Sequence, residues 1–192
     1  MEFRSDEYYI SQVLQGDKQS FAYLVDKHKH MVFTVALRIV RNREDAEEIA
    51  QDAFVKAFQS LETFKRESKF STWLYKIAYN ASISKTRKKK VETAPIEVDV
   101  VENYTLDEIF ENLDRLGENE QKGIIRKLFD ALNPDESTLI TLYYFQDVQT
   151  EEIAEITGLT QSNVKVKLHR IRQKMHNELR RILSTNMKEQ YS

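Results

Sequence analysis

The spacing of apolar positions along this chain predicts helices. From about Asp6 to Lys90, apolar residues recur at steps of three and four with polar residues between them, the period that gathers one stripe on one helix face. A first short stripe holds Tyr9, Ile10, Val13 and Leu14, with Ser5 suited to cap it and Gly16 to end it. Asp17 is placed to cap a second, carrying Phe21, Leu24, Val25, Val32, Val35, Ala36 and Ile39. Asn42 is placed to cap a third, with Ala46, Ile49, Ala50, Ala53, Phe54, Ala57, Phe58 and Leu61. A fourth begins at about Ser71 and runs through Trp73, Leu74, Ile77, Ala78 and Ala81 into the basic run Lys85, Arg87, Lys88, Lys89 and Lys90.

The pattern then changes. From 91 to 120 the chain is strongly acidic, Arg115 being its one basic residue, and the part around Pro95-Ile96-Glu97-Val98-Asp99 has no helical period. That composition predicts a tether, with Leu106 to Leu116 able to form a short helix against a partner. From 121 to 183 helical spacing returns. Asn133-Pro134 has the form of an N-cap followed by proline at the first helical position, and an apolar segment Leu139–Phe145 follows. The expected fold class is therefore all-α: two small helical domains, 6–90 and 121–183, joined by an acidic linker at 91–120. The polar end from Ser184 to Ser192 is expected to fray.

Within the third zone, residues 150–164 carry the grammar of a helix-turn-helix. Thr150 is placed to cap a short helix whose first turn holds Glu151 and Glu152, where the helix dipole favours anions. Ala154 is small where a second helix must cross closely, Gly158 supplies a left-handed turn, Leu159 fills the corner and Thr160 caps the next helix. Projecting that helix puts Val164, Leu168, Ile171, Met175, Leu179 and Ile182 on one buried stripe. Its opposite face shows Ser162, Lys165, Val166, His169 and Arg170, flanked by Asn163 and Lys167, side chains able to meet base edges and phosphates. Val166 is expected to be exposed and to pack on a thymine methyl. An ordinary helical hairpin with a basic solvent face is the plainer alternative.

Composition narrows the chemistry. The 192 residues include 4 Gly, 2 Pro and no Cys, which leaves no disulfide framework, thiolate metal site or cysteine nucleophile. There is no Gly-rich phosphate loop and no nucleophile elbow, so neither catalysis nor a cofactor nor a small-molecule substrate is expected. His28 and His30 diverge on a helix, and His169 and His176 lie seven apart. All four are expected to be structural or surface residues rather than metal ligands. No run approaches a membrane span and the start is no secretory signal, so a cytoplasmic location is expected. The net charge of −2 makes the distribution of charge, not its sum, the informative quantity.

Two segments of the first zone give the pattern a specific likeness. The runs Asp45-Ala46-Glu47-Glu48-Ile49-Ala50-Gln51-Asp52-Ala53-Phe54-Val55-Lys56-Ala57-Phe58 and Phe70-Ser71-Thr72-Trp73-Leu74-Tyr75-Lys76-Ile77-Ala78-Tyr79-Asn80 resemble regions 2.2 to 2.4 of sigma factors. They are most similar to the extracytoplasmic-function (group 4) subfamily, and the C-terminal zone resembles region 4. The resemblance implies a promoter-specificity subunit with core RNA polymerase and promoter DNA as partners. It assigns Glu48, Gln51 and Asp52 to docking on the coiled coil of the polymerase's largest subunit, with Phe58 at the border. Region 4 would meet the flap, and an anti-sigma protein is a family expectation. A solvated acidic face is the plainer alternative for the carboxylates.

The loop Thr63–Ser71 interleaves cations with aromatics, a composition suited to single-stranded nucleic acid. The resemblance assigns Phe64, Lys65, Lys69, Phe70, Ser71, Trp73 and Asn80 to a −10 element, where capture of a flipped base offsets unstacking. Arg87 and Lys88 would contact phosphates. Trp73 is equally well placed to be a core anchor, and the basic run to be merely solvated. The acidic linker either threads a positively charged polymerase channel or spans as a free spacer. The chain departs from the family pattern at Tyr79 and Lys167 (Arg is frequent), Ser84 (Asp) and Val166 (Ser), which leaves the promoter sequence open. A helix-turn-helix regulator that needs no polymerase is the alternative function, and a nucleic-acid enzyme is a third.

Overall fold

The computed structural model describes residues 4–87, 113 and 117–190, the last six by backbone only. Among these residues the regular structure is helical. Ser5 caps α1 (Asp6–Leu14), accepting the Tyr8 N–H at 3.4 Å. Asp17 caps a single 3-10 turn, Lys18–Ser20, instead of a long helix. It accepts the Gln19 N–H at 3.1 Å and the Ser20 hydroxyl at 2.7 Å, so α2 (Phe21–Val40) starts one turn late. Arg41 ends α2 in the left-handed region at φ 54°, and Asn42 caps α3 (Arg43–Gln59) through the Asp45 N–H at 2.8 Å. After a 3-10 turn at Leu61–Thr63, α4 spans Phe70–Arg87.

Helices α2, α3 and α4 pack on one another, with Leu24, Val32, Val35, Ala53, Ala57, Leu74 and Ala78 all buried between them. The inner face of α3 is mostly alanine (Ala46, Ala50, Ala53 and Ala57), with Ile49 and Phe54 as its two large buried side chains.

The C-terminal domain holds α5 (Glu118–Asp130), α6 (Pro134–Ile140), a π-helical turn (Thr141–Phe145), α7 (Thr150–Thr157) and α8 (Gln161–Gln190). Asn133 and Glu136 form a reciprocal capping box, at 2.9 and 2.8 Å, with proline at the first position of α6. The apolar segment after it is wound as π-helix and turns out at Gln146. One expectation is corrected here. The N-cap of α7 is Gln149, whose N–H is accepted by Glu152 at 3.4 Å, and Thr150 is the first helical residue. α8 runs past Ser184 to Gln190, with no glycine or proline to interrupt it.

The two domains lie against each other. The Arg38 guanidinium of α2 sits 3.9 Å from the centroid of the Phe129 ring, and Arg41 donates to the Leu132 carbonyl. Buried apolar residues of both domains form one connected cluster, which also takes in Leu113. Of the acidic stretch 91–120 the described residues are Leu113 and 117–120, the last three of which open α5; apart from Leu113, the expected helix at Leu106–Leu116 and the course of the linker lie outside the described residues.

Candidate nucleic-acid interface

Three surfaces carry the residues singled out from sequence. On α3, the inner stripe turns Glu48, Gln51 and Asp52 outward on adjoining turns, all exposed. Val55 and Phe58 are exposed apolar residues on the same helix, and the Phe58 ring meets Phe21 edge-on at 5.0 Å. Glu48 is not isolated. Lys85 of α4 bridges Glu48 at 2.7 Å and Asp45 at 2.9 Å, and these bonds raise the lysine's pKa. Part of the basic run therefore ties α4 to α3 instead of facing solvent alone. Arg87 is exposed, and Lys88 lies outside the described residues.

The second surface is the loop before α4. Phe64, Phe70 and Trp73 form an aromatic cluster with ring centroids 5.1 to 5.9 Å apart. Their exposures differ in a way that sequence could not assign. Phe70 is buried (3% exposed) beneath Phe64 and Trp73, which are half-buried: Trp73 packs against the core and keeps part of its surface open. Lys65, Arg66 and Lys69 of the same loop are exposed, and Arg66 turns the loop at φ 60°. Ser71 is half-buried and Asn80 exposed. Tyr79 is half-buried. Burial, then the charge of Asp135 on α6, pushes its hydroxyl up to about 12.

Beneath this cluster lies an arrangement the sequence reading missed. His28, expected to be structural or on the surface, is buried on α2 between an Asp6 carboxylate oxygen, 3.0 Å from Nε2, and the Tyr75 hydroxyl, 3.4 Å from Nδ1. An ionised carboxylate only accepts, so Nε2 carries a hydrogen; in the neutral ring Nδ1 then accepts from Tyr75. Burial would raise the Asp6 carboxyl, but hydrogen bonds and charge from His28 and Lys27 hold it below its ordinary value. For Tyr75, burial first and the Asp6 charge second push the hydroxyl up to about 12. The His28 ring lies 5.7 Å from Phe70, so the chain Asp6–His28–Tyr75 joins α1, α2 and α4 directly under the aromatic cluster.

The third surface is the start of α8. Gly158 takes φ 73° and Thr160 caps α8 through the Asn163 N–H at 3.2 Å. Val164, Leu168, Ile171, Met175, Leu179 and Ile182 are all buried. Ser162, Asn163, Lys165, Val166, Lys167 and Arg170 are exposed, Val166 by 45%, and His169 is half-buried beside them. The first helix of the motif, α7, points elsewhere: its Glu152 accepts from Lys69 at 3.0 Å and from the Thr72 hydroxyl at 2.8 Å, and Glu155 accepts from Ser68 at 3.0 Å. Among the described residues, no group of three or more His, Cys, Asp or Glu is placed to hold a metal ion. No helix among them is long and apolar enough to cross a membrane.

A helical domain with an outward acidic helix, an aromatic and cationic loop, and a second domain built on a helix-turn-helix define a DNA-binding transcription protein by fold. The family model for Sigma-70 region 2 matches residues 24–91, and that for Sigma-70, region 4 matches 122–175. The chain is 34% identical over 178 residues to the ECF RNA polymerase sigma factor SigW of Bacillus subtilis, covering 89% of this chain and 95% of that one. It is 30% identical over 186 residues to the ECF RNA polymerase sigma-E factor of Haemophilus influenzae, covering 93% and 97%. This chain belongs to the extracytoplasmic-function sigma factors of the sigma-70 family.

Among solved structures, the fold is similar to CnrH in complex with the cytosolic domain of CnrY, with a TM-score of 0.58 and 20% identity over 92% of this chain and 97% of that one. It is also similar to the sigma factor RpoE in complex with the anti-sigma factor NepR from Bartonella quintana, with a TM-score of 0.57 and 19% identity over 84% and 98%.

Proposed function

We propose that this chain binds core RNA polymerase and directs promoter-specific initiation, without catalysis of its own. Domain 6–90 docks on the coiled coil of the largest subunit through Glu48, Gln51, Asp52 and the Phe58 border, and recognises and melts the −10 element. Domain 121–183 reads the −35 element through Ser162, Asn163, Lys165, Val166, Lys167, His169 and Arg170 and meets the flap. The acidic segment 91–120 connects them. The place of action is the cytoplasm, where polymerase meets the chromosome. The observation that carries the reading is the half-buried Phe64–Trp73 pair in a loop that also presents the exposed Lys65 and Lys69.

A flipped base needs a flat apolar partner and its phosphates need cations. In this scheme Phe70 backs the two rings, Ser71 and Asn80 offer polar contacts, and Arg87 with Lys88 holds the duplex backbone. Melting draws on this binding energy alone, so no cofactor or nucleotide is needed for it. An anti-sigma protein is proposed as a further partner, because the two structural neighbours are complexes of that kind or with a second protein's cytosolic domain. The relatives' names and the matching of both sigma regions disfavour a regulator that works without polymerase.

Permanganate reactivity of promoter thymines in the reconstituted holoenzyme tests the −10 assignment. Trp73→Ala is expected to lower the open-complex equilibrium constant by roughly 5- to 150-fold, the equivalent of about 1–3 kcal/mol of lost stacking. A bubble opened beforehand should recover much of that loss. Unchanged reactivity with a folded variant would remove Trp73 from the melting site.

A further inference from the structure

His28 meets α4 at two points. Its ring lies 5.7 Å from that of Phe70, and its Nδ1 is 3.4 Å from the hydroxyl of Tyr75, five residues further along. Five residues are about 7.5 Å of helix, more than one turn. Two contacts that far apart fix how α4 is turned about its own axis, and Trp73 lies between them on the same helix. For a helix about 10–12 Å across, turning it by about 20° carries a surface side chain roughly 2 Å. Phe64, Phe70 and Trp73 keep their ring centroids 5.1 to 5.9 Å apart, so a shift of that size would undo their packing.

His28 is itself held. The Asp6 carboxylate divides its oxygens between two side chains of α2: one lies 2.6 Å from the Lys27 ammonium, the other 3.0 Å from Nε2 of His28. The second contact sets the tautomer. Burial and then the Asp6 charge push the Tyr75 hydroxyl up to about 12, so it stays protonated and can donate to Nδ1 of the neutral ring. His28 is only 5% exposed. An apolar side chain would fill this space without desolvating an imidazole, so packing alone does not account for a histidine. Hydrogen bonds add direction, which apolar contact lacks.

We propose that His28 is a positioning residue of the −10 site: bonded between Asp6 and Tyr75, it orients Phe70 and the start of α4 so that the Phe64–Trp73 pair stands ready for a base. The inference rests on the proposed role of that pair. It adds that part of the melting site lies in the buried layer beneath the rings, on side chains that touch no DNA.

The double variant His28→Phe/Tyr75→Phe separates placement from stability. It keeps an aromatic ring at both positions and strands no buried partner, since Asp6 retains Lys27, so its melting temperature should stay near that of the wild type. Trp73 is the chain's single tryptophan, so fluorescence of the full chain reads the site directly. In the folded variant the Trp73 emission maximum should move and its accessibility to acrylamide should change. In the reconstituted holoenzyme, permanganate reactivity should report an open-complex equilibrium constant about tenfold lower, the equivalent of about 1.4 kcal/mol. Capture of core enzyme and binding to a −35 duplex should be unchanged. Ile39→Val, about 16 Å further along α2, loosens the same core without touching the network. It should lower the melting temperature yet leave the fluorescence and the permanganate pattern as in the wild type.

Unchanged emission and quenching in the folded double variant would overturn the positioning role. Altered fluorescence with an unchanged open-complex constant would overturn its bearing on melting, and equal effects from Ile39→Val would reduce His28 to a core residue. Run-off transcription by the wild-type chain judges the sigma reading separately, because the fluorescence measurement requires neither polymerase nor a promoter.

Discussion

Val166 stands 45% exposed on a helix whose neighbouring outward positions are polar or charged. Apolar contact with a thymine methyl would account for a valine there, and Val166→Ser should change base preference at one promoter position in a library selection. Equal preference at every position would remove it from readout. Asp6 is a residue of a different kind, since it holds structure together. Asp6→Ala leaves His28 buried without its carboxylate and is expected to cost about 1–3 kcal/mol in urea unfolding at neutral pH. The sign of the pH dependence follows from the lowered folded-state pKa. The aspartate's contribution is complete above its ordinary value of 3.8 and disappears as pH falls through the folded value. The stability gap between wild type and Asp6→Ala should therefore be flat near neutrality and close only in acid; a gap that closes between pH 6 and 8 would contradict the assignment.

At the scale of elements, most helix ends were legible because caps are local chemistry. Ser5, Asn42, Asn133 and Thr160 each accept a backbone N–H three residues on, and Gly158 adopts the left-handed turn that glycine favours. Thr150 was misplaced by one residue, because Gln149 is an unusual cap and the signal that fixes it is Glu152, three residues later. The π-helical winding at Thr141–Phe145 has no local marker in an unbroken apolar run. Gly158→Ala tests the turn. Nothing lies within 4 Å of a Cβ added there, so the expected cost is conformational only, about 1 kcal/mol, read as a lower thermal midpoint with weakened −35 binding. No loss of stability would mean that the corner does not depend on that glycine.

On the surface of α3, the inner alanine stripe fixed which residues face outward, but it could not reveal that Lys85 reaches across to Glu48. Asp52→Lys leaves that bridge intact. It should reduce capture of core polymerase at least tenfold with an unchanged melting temperature, whereas undiminished capture would move the docking surface elsewhere.

The whole molecule is where sequence reading stopped. The two helical domains were visible in periodicity and charge, because each buries its own stripe. Their mutual contact was not, because Lys69 and Glu152 stand far apart in the chain and each looks like an ordinary surface charge in its own segment. Glu152 is explained locally by the helix dipole, and that sufficient local reason concealed its distant partner. The aromatic cluster was half legible: its composition pointed to nucleic acid, but the burial of Phe70 under its neighbours depends on packing with α2.

Promoter-specific initiation in company with polymerase is tested by adding the purified chain to sigma-free core enzyme on a promoter template and measuring run-off RNA. A discrete transcript is expected only when the chain is present. Specific DNA binding by the chain alone, with no transcript when core is added, would overturn the sigma-factor function.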